Sequence, residues 1–324
     1  MTDADLRVAV IDDWQAVARL SADWSLLERR AQLQFFQEPF ADEASAAAAL
    51  APFQIIVPMR ERLQFPRSLL ERLPRLRLLA LTGYGTRHVD MACCAQRHIV
   101  CCASGGAYSP AATAELTLGL MLAAQRHLAR ADATMRAGGW QRGIPLGRTL
   151  EGQTLGLIGL GRIGGRVASY ARSLGMQLLA WSTNLTAAQA QAAGATAVGK
   201  SELLQRADIV TLHLMLSQRS LATLGAAELA LMKPGALLVN TARGPLVEEQ
   251  ALLAALRDGR IRAALDVYAQ EPLPADHPLR SMPDTVLIAH QGFSTERTMA
   301  EFYGQSIENI LAFLDGRALR VVSA

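Results

Sequence analysis

Residues 154–175 read TLGLIGLGRIGGRVASYARSLG. An apolar run rich in Leu and Ile predicts a buried strand, the glycines at 159, 161 and 164 predict a tight turn, and the Arg/Ala/Val mixture that follows predicts a helix closed by Gly175. Strand, G-x-G-x-x-G, helix is the setting in which that spacing carries chemistry. Gly159 permits the turn, Gly161 lets backbone approach a pyrophosphate, and Gly164 lets helix pack closely on strand. The helix N-terminus then offers free N–H groups to an anion. This reading favours a dinucleotide over an S-adenosyl cofactor and over a turn that serves packing alone.

The same alternation of apolar runs with Ala- and Leu-rich helical stretches continues in both directions, the pattern of βαβ units around parallel sheets. Ten strands are predicted: LRVAVID, QIIVPM, RLLALT and HIVCC in the first hundred residues, then TLGLIGL, QLLAWS, DIVTLHL, ALLVNTA, RAALDVY and TVLIAH. Ten strands in 324 residues exceed one core and suggest two lobes. A divide is expected near Gly105, because Ser109-Pro110 reads as an N-cap followed by proline at the first helical position. The stretch TAELTLGLMLAAQRHLARADATMR then predicts one long helix ending near Gly138-Gly139.

Composition narrows the function classes. The chain is 51% hydrophobic and 19% charged, and its +3 net charge comes from 32 basic and 29 acidic residues spread along its length. With no basic block and few aromatics, nucleic acid is a poor partner. Lys200 and Lys233 are the sole lysines, so a fixed cation at a site is expected to be arginine. The opening MTDADLRVAVIDD is too polar for a signal peptide and no apolar run is long enough to span a bilayer, so no membrane association and a cytoplasmic location are expected. Cys93-Cys94 and Cys101-Cys102 lack C-x-x-C spacing and read as reduced, mostly buried thiols; no metal site is expected.

In a doubly wound sheet the ligand lies outside the carboxyl ends of the strands. The residues there are polar: Ser182 after QLLAW, His213 in DIVTLHL, Arg243 after ALLVNTA, Asp266 and then Glu271 after RAAL, and His290 after TVLIA. A guanidinium fork at Arg243, held by Gly244-Pro245, suits a carboxylate beside a carbonyl. His290 suits proton exchange near neutral pH, and Glu271 suits pairing with it in the charged form. His88, His98, His127 and His277 read as surface or packing residues, and His213 as intermediate.

Four stretches, LGLIGLGRIGGRVA (155–168), LMKPGALLVNTARGPLVEEQALLAAL (231–256), ALDVYAQEPLPADHPL (264–279) and IAHQGFST (288–295), resemble in this order the D-isomer-specific 2-hydroxyacid dehydrogenases. The opening VAVIDDWQ (8–15) with VPMRERLQFP (57–66) resembles the phosphoglycerate dehydrogenase-like branch. The resemblance implies an α/β fold of two Rossmann-like, doubly wound parallel-sheet domains with a cleft between them. Residues 1–104 and 292–324 would form a discontinuous substrate-binding domain and residues 105–291 an NAD(P)-binding domain.

It further implies an NAD(P)-dependent oxidoreductase that moves a hydride between nicotinamide and a small 2-hydroxy or 2-oxo acid, and a homodimer formed through the long helix after Pro110. Arg243 would hold the substrate carboxylate and carbonyl, with His290 as acid/base and Glu271 as its carboxylate partner. Arg60, Tyr84 and Gly85, in VPMRER and TGYGTRHVD, would join Arg243 on the substrate. Gly159, Gly161, Arg162, Ile163 and Gly164, with Ser182, His213, Thr241, Ala242, Asp266 and Gly292, would hold the cofactor. A corepressor-like scaffold on the same fold is the competing expectation, against which Arg243, Glu271 and His290 weigh.

Two departures stand out. His290 lies between Ala289 and Gln291, where many relatives have proline before the histidine and a small aliphatic residue after it, and Gln291 and Phe293 would reshape the pocket. The other is Ser182, at the strand end where NAD enzymes commonly carry an acid for the ribose hydroxyls. Its absence lifts the repulsion of a 2′-phosphate, yet no Arg or Lys lies between Arg172 and Lys200 to clamp one. The expected cofactor is therefore NAD, on sequence that neither repels NADP nor recruits it.

Overall fold

A computed structural model describes residues 5–323; the first four residues of the opening stretch MTDADL and the terminal Ala324 lie outside the described residues. The chain divides into two compact units, one made of residues 1–109 and 294–324 and the other of residues 110–293.

Unit 1 is built on a five-stranded parallel sheet of β1 (Arg7–Ile11), β2 (Gln32–Phe35), β3 (Ile55–Pro58), β4 (Leu78–Thr82) and β5 (Val100–Ser104), in the order β2-β1-β3-β4-β5. Helices Glu43–Leu50, Arg67–Glu71 and Met91–Gln96 supply apolar side chains to one of its cores, where Cys93, Cys94 and Cys101 are buried. The C-terminal segment returns as helix Glu296–Leu314, and Ala103 and Val322 then donate backbone N–H bonds to Arg320 and Cys101. Strand order reverses between β1 and β3, so their carboxyl ends open a crevice inside this unit.

Asp12 stands at that reversal with φ 61° and is 3% exposed. Its Oδ2 has no hydrogen-bond partner among the described residues. The Arg62 guanidinium donates to the Asp12 carbonyl oxygen at 2.5 Å and lies 4.2 Å from the centre of the Trp14 ring. Burial pushes the Asp12 carboxyl up to about 6, against the Arg62 charge and the Leu63 N–H. The folded chain thus holds a proton that the unfolded chain has released near pH 4, and Asp12 lowers stability progressively as pH rises from about 4 to 6. About two pH units correspond to about 3 kcal/mol. Asp12→Asn keeps the shape and tolerates positive φ. Urea denaturation is expected to find this variant more stable than the parent at pH 8 and equal to it at pH 4; an identical difference at both would refute the assignment.

Unit 2 carries a seven-stranded sheet of β6 (Thr154–Ile158), β7 (Gln177–Trp181), β8 (Thr196–Ala197), β9 (Ile209–Leu212), β10 (Ala236–Asn240), β11 (Ile261–Leu265) and β12 (Thr285–Leu287). All neighbours are parallel, in the order β12-β11-β10-β9-β6-β7-β8. Leu, Ile and Val of the central strands are buried on both faces, which is why those strands read as continuous apolar runs. The order reverses between β6 and β9, so all connecting loops beyond the strand carboxyl ends face one edge, with the crevice at that reversal.

The structure has twelve strands among the described residues, two more than the sequence reading expects. β2 and β8 are edge strands, one half-exposed and one of two residues, so neither shows a buried apolar run. The single long helix is also corrected: it is two, Ser109–Gln125 and Leu128–Arg136, separated by His127 in the left-handed region at φ 52°. No glycine or proline marks that break, which is why the pattern reads through it.

Candidate active site

The glycine-rich turn connects β6 to helix Arg162–Ser173. Gly159 has φ 99°, and a Cβ there would lie 2.8 Å from the His213 carbonyl group. A Cβ on Gly164 would come within 2.2 Å of the Gly159 carbonyl oxygen, the close approach its spacing predicts. At Gly161 a Cβ would meet no atom within 4 Å, so backbone there faces open space. No side chain caps the helix that Arg162 and Ile163 begin. Three glycines with those surroundings, and an uncapped helix N-terminus at the reversal of strand order, fit a pyrophosphate.

Around the turn, the Gly159 N–H donates to the Trp181 carbonyl and the His213 N–H to that of Ile158, which joins the ends of β6, β7 and β9. The His213 Nε2 lies 3.0 Å from the Thr211 hydroxyl, and burial pushes its pKa down to about 3, so the ring is neutral. Ser182 follows β7 directly, and its carbonyl accepts the Leu185 N–H. His88, in unit 1, is a packing residue: it is buried against Phe65, and burial lowers its pKa.

At the other half of the sheet edge, Asn240 ends β10 and organises the turn that follows. Its Oδ1 accepts the Ala242 N–H at 3.0 Å and its Nδ2 donates to the Arg243 carbonyl at 2.9 Å. Gly244 is required because a Cβ would fall 2.0 Å from the Tyr268 backbone. The Thr241 hydroxyl lies 2.8 Å from that of Thr117, which itself donates to the Thr113 carbonyl; Thr241 is therefore the donor of that pair. Arg243 Nη1 donates to the Ala242 carbonyl at 2.7 Å.

Asp266, fully buried after β11, holds the segment that carries His290. Its carboxylate accepts the N–H groups of Gln291 at 2.6 Å and Gly292 at 2.8 Å, and its carbonyl accepts that of His290 at 2.7 Å. Burial raises the Asp266 pKa in spite of those bonds and of the nearby His290 charge. His290 has φ 50°, a conformation that histidine adopts more readily than most side chains. A Cβ on Gly292 would lie 3.0 Å from Asp266 Oδ2 and 3.2 Å from Thr113, a tight fit that would press on the carboxylate.

Glu271 Oε2 meets His290 Nδ1 at 2.5 Å, with both side chains 30% exposed. Glu271 Oε1 accepts the Tyr268 N–H at 2.9 Å. Burial works against the Glu271 charge, but the hydrogen bond and charge of His290, the Tyr268 N–H and the Arg243 charge outweigh it and hold the carboxyl below its ordinary range. An ionised Glu271 accepts from Nδ1–H, which leaves Nε2 of His290 to exchange a proton. The Phe293 ring stands at 78° to the imidazole, with centroids 5.8 Å apart.

Tyr268 and Asn240 are the residues that sequence reasoning missed. The Tyr268 hydroxyl donates to the Ile288 carbonyl at 2.8 Å, tying β11 to the short edge strand β12 two residues before His290. The available signals were an Asn that ends a strand before a Gly-Pro turn and an aromatic between two acids that follow a strand end.

In unit 1, Arg60, Tyr84 and Gly85 follow the carboxyl ends of β3 and β4. The Arg60 N–H donates to the Thr82 hydroxyl at 2.7 Å, and its guanidinium fills the space above Gly83. Tyr84 is exposed, and the Glu61 carboxylate lies against Gly85.

Residues 118–292 match the family model described as D-isomer specific 2-hydroxyacid dehydrogenase, NAD binding domain. The chain is 38% identical over 257 residues to a glyoxylate reductase of Aeropyrum pernix, covering 77% of this chain and 76% of that protein. It is likewise 38% identical over 243 residues to a D-3-phosphoglycerate dehydrogenase of Methanocaldococcus jannaschii, covering 74% of this chain; the match spans 46% of that protein's length. A crystal structure of a phosphoglycerate oxidoreductase from Vibrio cholerae superposes with a TM-score of 0.90 at 34% identity, covering 96% of this chain and 99% of the other. The glycine turn of unit 2 thus belongs to an NAD binding domain, and the chain is a member of the D-isomer specific 2-hydroxyacid dehydrogenase family.

Proposed function

We propose that the chain is an NAD(H)-dependent oxidoreductase that interconverts a small 2-oxo acid and the corresponding D-2-hydroxy acid. The observation that carries this reading is the 2.5 Å pair of His290 with an ionised Glu271, in the same sheet edge as the glycine turn and within reach of the Arg243 charge. The nicotinamide supplies the hydride to C2 of the acid, or accepts it in the reverse direction.

The protein's part is orientation and proton transfer. Arg243 engages the carboxylate and the carbonyl of the acid and polarises the carbonyl towards attack. His290 donates from Nε2 to the carbonyl oxygen in reduction and takes the proton back in oxidation, while Glu271 stabilises the imidazolium form. Arg60 and the backbone N–H groups of Tyr84 and Gly85 are further contacts for the acid. Gly159, Gly161, Arg162, Ile163 and Gly164 hold the pyrophosphate; Ser182 and His213 serve the adenosine side; and Thr241, Ala242, Asp266 and Gly292 serve the nicotinamide side.

The test is to follow absorbance of reduced cofactor with glyoxylate, hydroxypyruvate and pyruvate. Consumption with at least one is expected. A chain that binds NADH tightly and reduces none of these or related 2-oxo acids would sink the proposal.

The protein is further proposed to form a homodimer through helix Leu128–Arg136 and the loop after it. That segment exposes Leu128, Met135, Trp140 and Leu146, the last two at 69% and 95%. Light scattering is expected to give twice the 34.9 kDa chain mass; a single-chain mass at micromolar concentration would contradict this. No helix among the described residues is long and apolar enough to cross a membrane. Four free buried thiols accord with a reducing compartment, and a cytoplasmic location is proposed, to be tested by cell fractionation.

A further inference from the structure

Ser182 leaves the end of β7 without the acid that would repel a 2′-phosphate, so discrimination between NAD and NADP there has to come from other charges. One cation is close by in the fold. Lys200 follows β8, the edge strand beside β7, and its Nζ stands 5.7 Å from the centre of the Trp181 ring, on the residue directly before Ser182. That ammonium is committed elsewhere. It donates to Glu228 Oε1 at 2.7 Å and to the Thr223 carbonyl at 3.2 Å, with the two charged side chains 29% and 26% exposed. Glu228 is in turn fixed by the Gly225 N–H, which donates to its other oxygen at 3.1 Å.

We infer that the Lys200–Glu228 pair sets the preference for NAD over NADP in this chain. The inference rests on the proposal that the adenosine ribose lies at Ser182. A 2′-phosphate carries close to two negative charges at neutral pH, and Lys200 is a cation held over the ring of Trp181, the residue directly before Ser182. Glu228 cancels that attraction in two ways: it neutralises the ammonium, and it holds Nζ through a short bond to a carboxylate fixed by the backbone. The pair takes over the role that a single strand-end acid performs elsewhere, as a neutralised cation in place of a direct repulsion. Ribose hydroxyls are uncharged and respond weakly to either member, so the pair separates the two cofactors by charge alone.

The two members should therefore act in opposite directions on one cofactor and leave the other alone. Dissociation constants for NADH and NADPH are to be measured on the full chain by fluorescence titration, without any 2-oxo acid. Glu228→Gln keeps an oxygen for the Gly225 N–H and frees the charge of Lys200. It is expected to tighten NADPH about fivefold to tenfold while NADH stays within about twofold, and added salt should erase the gain. Lys200→Met leaves Glu228 unneutralised and is expected to weaken NADPH about fivefold, again with NADH little changed. This second variant keeps the Glu228 cap intact, so it tests the idea even if Glu228→Gln folds poorly. NADPH affinity unmoved in both variants, or NADH and NADPH moving together, would overturn the inference and leave the proposed reaction standing. A parent chain that binds neither cofactor would overturn both.

Discussion

Replacing His290 with alanine is expected to lower kcat at least about a hundredfold while the dissociation constant for NADH stays within about twofold. The structure separates the two effects. The imidazole is 30% exposed and joined to Glu271, whereas the segment around it is held by backbone bonds from His290, Gln291 and Gly292 to Asp266, which the substitution leaves in place. Alanine is less at ease than histidine at φ 50°, so His290→Asn, a residue that accepts left-handed backbone, is the companion variant. Equal losses in both variants identify the missing proton donor as the cause. Full activity in either would remove His290 from the reaction. Cofactor affinity falling in step with kcat would instead point to collapse of the segment.

The second large effect is expected at Arg243. Arg243→Gln should reduce kcat/KM about a hundredfold to a thousandfold, the scale for losing a charged donor aimed at developing negative charge on oxygen. The loss should appear in both KM and kcat, because the same fork binds the carboxylate of the ground state and polarises the reacting carbonyl. Arg243→Lys should restore little, since an ammonium has no planar pair of donors. The turn itself should survive both changes: Asn240 bonds to the Arg243 carbonyl, and the Gly244 contact with Tyr268 is made by backbone. Steady-state kinetics over a range of 2-oxo acid concentrations decides the matter. A variant that binds and reduces the acid normally would leave Arg243 as a turn residue only.

How much of this was legible in the sequence varies with the range of the interaction. The glycine turn was fully legible: φ at Gly159 and the contact at Gly164 are demands that strand–turn–helix geometry places on those positions alone, and no other residue meets them. The buried strands were legible because a parallel sheet covered on both faces must be apolar along its length. β2 and β8 escaped because β2 is half-exposed along its length and β8 has two residues, so neither carries the buried apolar run that marks the edge strand β5. The break at His127 escaped because the residues around it favour a helix, and its left-handed backbone at φ 52° falls on a residue that is neither glycine nor proline. Tyr268 reads in the sequence as one more core aromatic; its hydroxyl matters only because β12 lies beside β11.

The sequence by itself determined the kinds of element, their order, and which polar residues would stand at strand ends, since all of these follow from periodicity and local backbone preference. Only the tertiary structure decided that Glu271 meets the imidazole of His290 from 19 positions away, that the Asp266 carboxylate is spent on the backbone that carries that histidine, and that Lys200 beside Trp181 is already neutralised by Glu228. The first two are contacts between loops that follow different strands, and the third joins the first turns of helices Lys200–Arg206 and Ala226–Leu231. Parallel pairing brings every strand's carboxyl end to one edge, but the distances among side chains there are set by strand order, register and helix packing, none of which a local stretch of chain encodes.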